Sequence, residues 1–262
     1  MIKAKKSLGQ NFLIDNNILD KIVNVIDIKD KNILEIGPGS GNLTNAILEK
    51  NPKKLILIEK DERFISILNQ KFKDRVMIMN NDILKINEKE LLKDKLIVFG
   101  NLPYNISTEI LCNWILNLKK QEFWFEYLIL MFQKEVADRI IAKKNTSLYG
   151  RLSILANWKL NIIKICDVKP SSFSPKPKID STVLFFKPKK NFLNINNAKN
   201  LEVITRTFFN QRRKMIKKPY NQLFNGNNEI IKKLKIDLNL RPQNLDCDTY
   251  YNLAREYEFL NS

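Results

Sequence analysis

The sequence predicts an α/β domain built on a mostly parallel, helix-covered sheet, followed by a small helical domain. Three observations carry this. Short apolar runs rich in β-branched residues recur as far as residue 187, stretches of helical length and spacing lie between them, and beyond about residue 190 no convincing strand occurs. Strands buried on both faces read as continuous apolar runs, and strands that alternate with helices build parallel sheets.

The predicted strands are residues 32–36, 54–58, 76–79, 96–99 and 127–132, and the predicted helices between them are 43–50, 62–72 and 108–118. Two further runs, 162–168 and 182–187, flank the proline-rich PSSFSPKPKIDS and are expected to complete the sheet as a closing hairpin. The polar, unperiodic KPKKNFLNINN (residues 187–197) reads as a linker. It divides the chain into an expected catalytic domain, 1–190, and a helical domain, 191–262, with helices at 201–216 and 249–259. In a single helix over 201–216, Ile204, Phe208 and Met215 share a face and Arg206 and Arg213 lie roughly opposite.

Composition narrows the chemistry. The 262 residues contain no histidine, which excludes Ser-His and Cys-His dyads and every histidine-dependent metal site. Cys112, Cys166 and Cys247 are too far apart to read as a metal-ligand pair or a disulfide framework, so no metal and a reducing, cytoplasmic setting are expected. No apolar stretch of signal-peptide or membrane-spanning character occurs, so no membrane partner is expected either. The formal charge of +17 points to a polyanion, nucleic acid first, although the general richness in Lys, Asn and Ile accounts for part of the excess.

The first strand runs into Glu35-Ile36-Gly37-Pro38-Gly39-Ser40-Gly41 and then a helix, a junction suited to a nucleotide-like cofactor. Glu59 ends the second strand, where a carboxylate can accept ribose hydroxyls, and Asp82 ends the third, where one can accept from an adenine amine. NAD-binding and S-adenosylmethionine-binding domains share such a series. The tight GxGxG spacing and Glu35, a carboxylate placed for a cationic methionine portion, favour S-adenosylmethionine.

The fourth strand ends in Asn101-Leu102-Pro103-Tyr104, beside the inferred cofactor. The Asn101 side-chain oxygen and a backbone carbonyl, assigned to Leu102, form a pair of acceptors suited to an NH₂ group. An adenine amine is a poor nucleophile because its lone pair is delocalised, and two acceptors that hold its hydrogens out of plane localise that pair. Pro103 fixes the turn and Tyr104 offers a stacking face to a base extruded from its helix.

The motifs KKSLGQNFL (5–13), EIGPGSGNLT (35–44), IEKD (58–61), NDIL (81–84), NLPYNIS (101–107), FQKEVADRI (132–140), YGRLS (149–153), FSPKPKIDS (173–181) and FNQRRK (209–214) follow one another in order. Over nearly its whole length the chain resembles the ribosomal RNA adenine dimethyltransferases, most nearly those that modify two adjacent adenines in the 3′-terminal hairpin loop of 16S RNA. The resemblance implies a Rossmann-like class I S-adenosylmethionine-dependent methyltransferase domain. It implies that Asn11 and Leu13 close over the cofactor, that Gly37 contacts it, that Glu59 and Asp82 bind its ribose and adenine, and that Asn101 stands between cofactor and substrate. Tyr104 and Phe173 would hold the target adenine, whereas Phe12 and Phe132 read as core. Arg206, Arg212, Arg213 and Lys214 are the candidate phosphate contacts, and the expected partner is 16S rRNA in an immature small subunit, bound by a monomer. A 23S adenine methyltransferase, or an assembly or transcription factor that binds RNA without obligatory catalysis, are the alternatives.

Overall fold

The structure, a computed structural model, describes residues 5, 9–118 and 122–261; within KKSLGQNFL, residues 6–8 lie outside that set. The described chain begins with β1 (Phe12–Leu13) and α1 (Asn16–Val23), then alternates β2 (Asn32–Ile36), α2 (Asn42–Leu48), β3 (Lys54–Glu59), α3 (Glu62–Phe72), β4 (Met77–Asn80), β5 (Leu96–Asn101), α4 (Ser107–Asn117) and β6 (Phe125–Gln133). It continues through α5 (Lys134–Ile140), α6 (Arg151–Lys159), β7 (Leu160–Val168), β8 (Phe173–Ser174) and β9 (Ser181–Pro188). The remainder is helical: α7 (Lys199–Phe209), α8 (Lys217–Phe224), α9 (Asn228–Leu234) and α10 (Cys247–Leu260).

The main sheet has the order β4-β3-β2-β5-β6-β9-β7. Pairings from β4 across to β6 are parallel, and β9 runs antiparallel to β6. Alternate strand residues Ile33, Leu55, Leu57, Ile97 and Phe99 pack with Leu19 and Ile22 of α1, Ile47 of α2 and Phe64 and Leu68 of α3 in one apolar core. The intervening residues Leu34, Ile56, Val98 and Leu130 are equally shielded, so both faces are covered. Double coverage accounts for strands that are apolar throughout rather than alternating. Carboxylates start several helices by accepting backbone N–H groups: Asp15 for α1, Asp61 for α3 and Asp246 for α10.

The order reverses between β2 and β5, the crevice where an open sheet of this kind takes ligands. A separate two-stranded ribbon forms where β1 pairs antiparallel with β8, Phe12 opposite Ser174 and Leu13 opposite Phe173. This ribbon is tied further by the Ile14 N–H, which donates to the Ser172 carbonyl at 2.9 Å, and by the Ser172 hydroxyl, which donates to Asp15 at 2.8 Å. Residues 9–13 thereby form a strap.

Cα packing groups the chain into two compact units, and the grouping differs from a division at residue 190. The first comprises Met1–Ile110, Phe123–Ala137 and Ile162–Pro188; the second comprises Leu111–Glu122, Asp138–Asn161 and Lys189–Ser262. In the second unit Lys159, only 3% exposed, donates its ammonium to the carbonyls of Ile115 and Leu118 at the end of α4, with the Trp158 ring 3.8 Å away. A buried cation at a helix C-terminus meets both the orphan carbonyls and the negative end of the dipole.

One expectation fails in this unit: residues 201–216 are not one helix. α7 stops at Phe209, a turn follows, and Met215 is exposed rather than core. Tertiary bonds break the helix, since the Ile216 N–H donates to the Leu240 carbonyl and the Arg212 guanidinium to Gln243 and the Thr146 carbonyl. Helical propensity alone does not survive such competition.

Candidate active site

A cavity of about 200 Å³ opens at the carboxyl ends of β2, β3 and β5. Asn11, Leu13, Gly37, Glu59, Asp82, Asn101, Leu102, Pro103 and Tyr104 all line it, as do Glu35, Gln10 and Phe12. The sequence separations among Glu35, Glu59, Asp82 and Asn101 are large, and the parallel part of the sheet removes them by ending β2, β3, β4 and β5 on the same side.

The glycine turn owes its composition to packing as much as to a ligand. Gly39 has φ +51°, and a Cβ there would lie 2.6 Å from the Phe12 ring; Gly41 has φ +77° and would meet Phe72 at 2.6 Å. Both positions therefore demand glycine on two grounds, the left-handed backbone and the aromatic neighbour. Phe12 also packs edge-on to Phe64, with ring centres 5.2 Å apart. It is both a core residue, as expected, and a wall of the cavity.

Glu59 is buried, and its carboxylate accepts from the Asp61 N–H at 2.8 Å and the Gly39 N–H at 3.0 Å. Burial raises its pKa, and the two backbone donors oppose that rise. A carboxylate has about four acceptor positions, so lone pairs remain for hydroxyl donors. Asp82 accepts from the Leu84 N–H at 3.1 Å and from the Lys60 ammonium at 2.7 Å, which holds its carboxyl below the usual range. Glu35 is more deeply placed. It takes a 2.6 Å bond from the Thr44 hydroxyl, and burial pushes its carboxyl up to about 8.

Asn101 has its amide orientation defined. Its Nδ2 donates to the Asn11 carbonyl at 2.8 Å, so the oxygen of the same amide points away from that contact. The strap that supplies this carbonyl is anchored at Gln10, whose side chain donates to Asp61 at 2.9 Å, while Arg63 grips the same Asp61 carboxylate. That grip is the main reason the Asp61 carboxyl lies far below the ordinary carboxylate range. The Asn42 amide adds a bond to the Leu13 carbonyl at 2.8 Å. The strap runs through KKSLGQNFL, but the sequence does not reveal the Gln10–Asp61–Arg63 clamp, because Gln10 lies 51 residues from Asp61. The signal it offers is that Asp61 closes the IEKD motif as the cap of α3.

Phe173 is placed elsewhere. It does not appear among the described residues that line the cavity; it stands 1% exposed opposite Leu13 and packs into the apolar core. Of the candidate phosphate contacts, Arg206, Arg213 and Lys214 are exposed, whereas Arg212 is half-buried and spends its guanidinium on Gln243 and Thr146. No cluster of three or more metal-ligating side chains occurs among the described residues.

A seven-stranded sheet of this order, with a glycine turn after one central strand and acids at the ends of the next two, matches the Rossmann-like fold of the class I S-adenosylmethionine-dependent methyltransferases. The sequence model of the family described as Ribosomal RNA adenine dimethylase matches residues 1–258, and the chain belongs to that family. A relative from Pelagibacter ubique (strain HTCC1062), "Ribosomal RNA small subunit methyltransferase A", is 61% identical over 99% of this chain and 98% of its own. Among solved structures, a dimethyladenosine transferase from Plasmodium falciparum superposes with a TM-score of 0.78 at 28% identity, covering 95% of this chain and 98% of that one. The 23S rRNA methyltransferase ErmE shares the fold, with a TM-score of 0.69 at 20% identity over 94% and 99%.

Proposed function

We propose that this enzyme transfers methyl groups from S-adenosylmethionine to the exocyclic N6 of two adjacent adenines in the 3′-terminal hairpin loop of 16S rRNA, acting on an immature small subunit. The observation that carries the reading is the Asn101 amide: with Nδ2 committed to the Asn11 carbonyl, Oδ1 is the atom left to accept a hydrogen bond from a substrate amine. Membership of the adenine dimethylase family supports the same assignment, and the small-subunit relative favours 16S over 23S RNA.

The cavity suits S-adenosylmethionine. Glu59 would accept from ribose hydroxyls, Asp82 from the adenine amine, and Glu35 and Gly37 lie where the methionine end would rest. The cofactor supplies a methyl carbon made electrophilic by a cationic sulfur. The protein's part is then to make a weak nucleophile adequate. The Pro103 carbonyl is taken by the Ile106 and Ser107 N–H groups that start α4, so the second acceptor falls to Leu102. Asn101 Oδ1 and the Leu102 carbonyl would draw the two amine hydrogens to one side and leave the lone pair on the other. The proton is lost after transfer, once the nitrogen is cationic, so no general base is needed beforehand. Tyr104 would stack on the extruded base.

The test is a single-turnover assay with tritiated S-adenosylmethionine and immature small subunits from an unmethylated strain. Asn101→Ala should slow transfer by about 10² to 10³, as loss of one preorganised hydrogen-bonding group does elsewhere. Subunit affinity should change less than about threefold, because phosphate contacts and stacking dominate it. Transfer at the parental rate would overturn the chemistry given to Asn101; a parent that binds the subunit but transfers nothing would leave the assembly-factor reading in its place.

A further inference from the structure

The Tyr104 hydroxyl meets the Ser181 hydroxyl at 2.6 Å. Stacking uses the face of a phenol ring and asks nothing of its oxygen, so the proposed function alone gives this contact no task. Ser181 is 0% exposed and closes the FSPKPKIDS run that the sequence singles out. Its backbone is held on both sides: Ser181 lies opposite Gln133 in the β6–β9 ladder, and the adjacent Asp180 carbonyl accepts from the Lys134 N–H at 2.9 Å. The serine is thus a fixed post on the rigid sheet. Burying a hydroxyl without a partner is costly, and here the tyrosine supplies that partner.

The other end of Tyr104 is fixed too. Pro103 restricts the backbone before it, and its own carbonyl accepts from the Ser107 hydroxyl at 3.3 Å, in the turn that opens α4. Of the two side-chain torsions of a tyrosine, χ1 cannot change without carrying the oxygen away from Ser181, while χ2 turns the ring about the axis through that oxygen and leaves the bond intact, so the contact fixes where the ring stands. Burial raises the phenol pKa while the serine bond lowers it, in keeping with a hydroxyl that is shielded and engaged.

We propose that Ser181 is a positioning residue: its buried hydroxyl holds the ring of Tyr104 in its place in the cavity wall, so that the surface for stacking stands ready before a base arrives. The inference rests on the adenine-transferase reading given above. A ring already in place gives up no χ1 freedom when the base lands on it, so capture and alignment both gain. The oxygen of Tyr104 acts on the geometry of its own ring rather than on the reacting atoms.

A double-mutant cycle tests this on the full chain. In single-turnover transfer to immature small subunits, Ser181→Ala and Tyr104→Phe should each slow the reaction by about five- to thirtyfold, the range expected of a coupled pair. The double variant should be no slower than the slower single one. S-adenosylmethionine affinity by calorimetry should stay within roughly twofold throughout, since Ser181 does not line the cavity and the Tyr104 oxygen is engaged with that serine. A second arm does not depend on activity. In protein labelled with 3-fluorotyrosine, the Tyr104 resonance, assigned by its loss in Tyr104→Phe, should shift and narrow in Ser181→Ala as the ring is freed. Parental rates in Ser181→Ala, multiplicative losses in the double variant, or an unmoved fluorine resonance would each overturn the proposal. A parent inactive on small subunits would instead overturn the function it rests on, and the fluorine arm would still decide whether the pin exists.

Discussion

Glu35 shows how far a single side chain can depart from its ordinary chemistry. It is 1% exposed, bonded to the Thr44 hydroxyl, and raised by burial from an ordinary 4.5 to about 8. Between those values the folded chain keeps a proton that the unfolded chain has lost. Stability therefore falls as pH rises through that window, by up to about 1.4 kcal/mol per unit, and the loss is complete above the folded pKa. Glu35→Gln carries no such proton, so in thermal unfolding its melting temperature should climb relative to the parent between pH 5 and pH 8. A constant difference across that range would mean the carboxylate is already ionised in the fold. At this scale the sequence is informative about which acids end the strands, because a parallel sheet brings strand ends together. It is silent on amide orientation: the bond that turns Asn101 joins it to a carbonyl ninety residues away, and nothing local encodes it.

The strap at residues 9–13 is held at one end by the β1–β8 ribbon and at the other by one carboxylate. Asp61 caps α3, receives Gln10 and is held by Arg63, so it joins the strap to the helix. Asp61→Asn removes the charge that Arg63 needs while leaving the shape. Hydrogen exchange at residues 9–13 should then quicken by roughly tenfold, on the scale of one charge-assisted bond of about 1.5 to 3 kcal/mol. Exchange equal to the parent's would show that the β1–β8 ribbon alone holds the strap. The central strands were legible because double burial makes them apolar throughout; the edge strands β4 and β7 are partly exposed yet still carry apolar runs, β6 and β7 extend beyond residues 127–132 and 162–168, and the two-residue β1 and β8 were too short to be read. The helices were less so. α6, RLSILANWK, buries residues around much of its circumference and presents no single apolar face to read. α1 is eight residues long and announced mainly by its Asp15 cap. The break after α7 arises from partners at residues 146, 240 and 243, which no local window contains.

For the molecule as a whole, the formal charge of +17 sets the terms on which RNA is met. Fully exposed cations and tethered ones should separate in experiment. Replacing Arg206, Arg213 and Lys214 by alanine should weaken binding of the immature subunit and flatten its salt dependence by about 0.7 to 0.9 units of log–log slope for each phosphate no longer neutralised. Arg212→Ala should instead lower the melting temperature by a few degrees, at about 1 kcal/mol for each broken bond, because its guanidinium joins Gln243 and Thr146. A slope unchanged by the triple replacement would assign those side chains to solvation alone. The charge was legible in composition, but that Arg212 is tied into the fold needed the bonds of the folded chain.

Lys159 gives the second unit an internal clock. Burial lowers its amine to about 8, and the same burial, with the ring of Trp158 against it, shields it from any reagent in solution; once uncovered it reacts as an ordinary lysine. Modification must wait until the end of α4 comes away from α6. With a small amine-reactive ester, the time course of labelling at Lys159 should follow that opening, while exposed lysines such as Lys217 and Lys218 label at once. The residue that closes the helix thereby records how often it is opened.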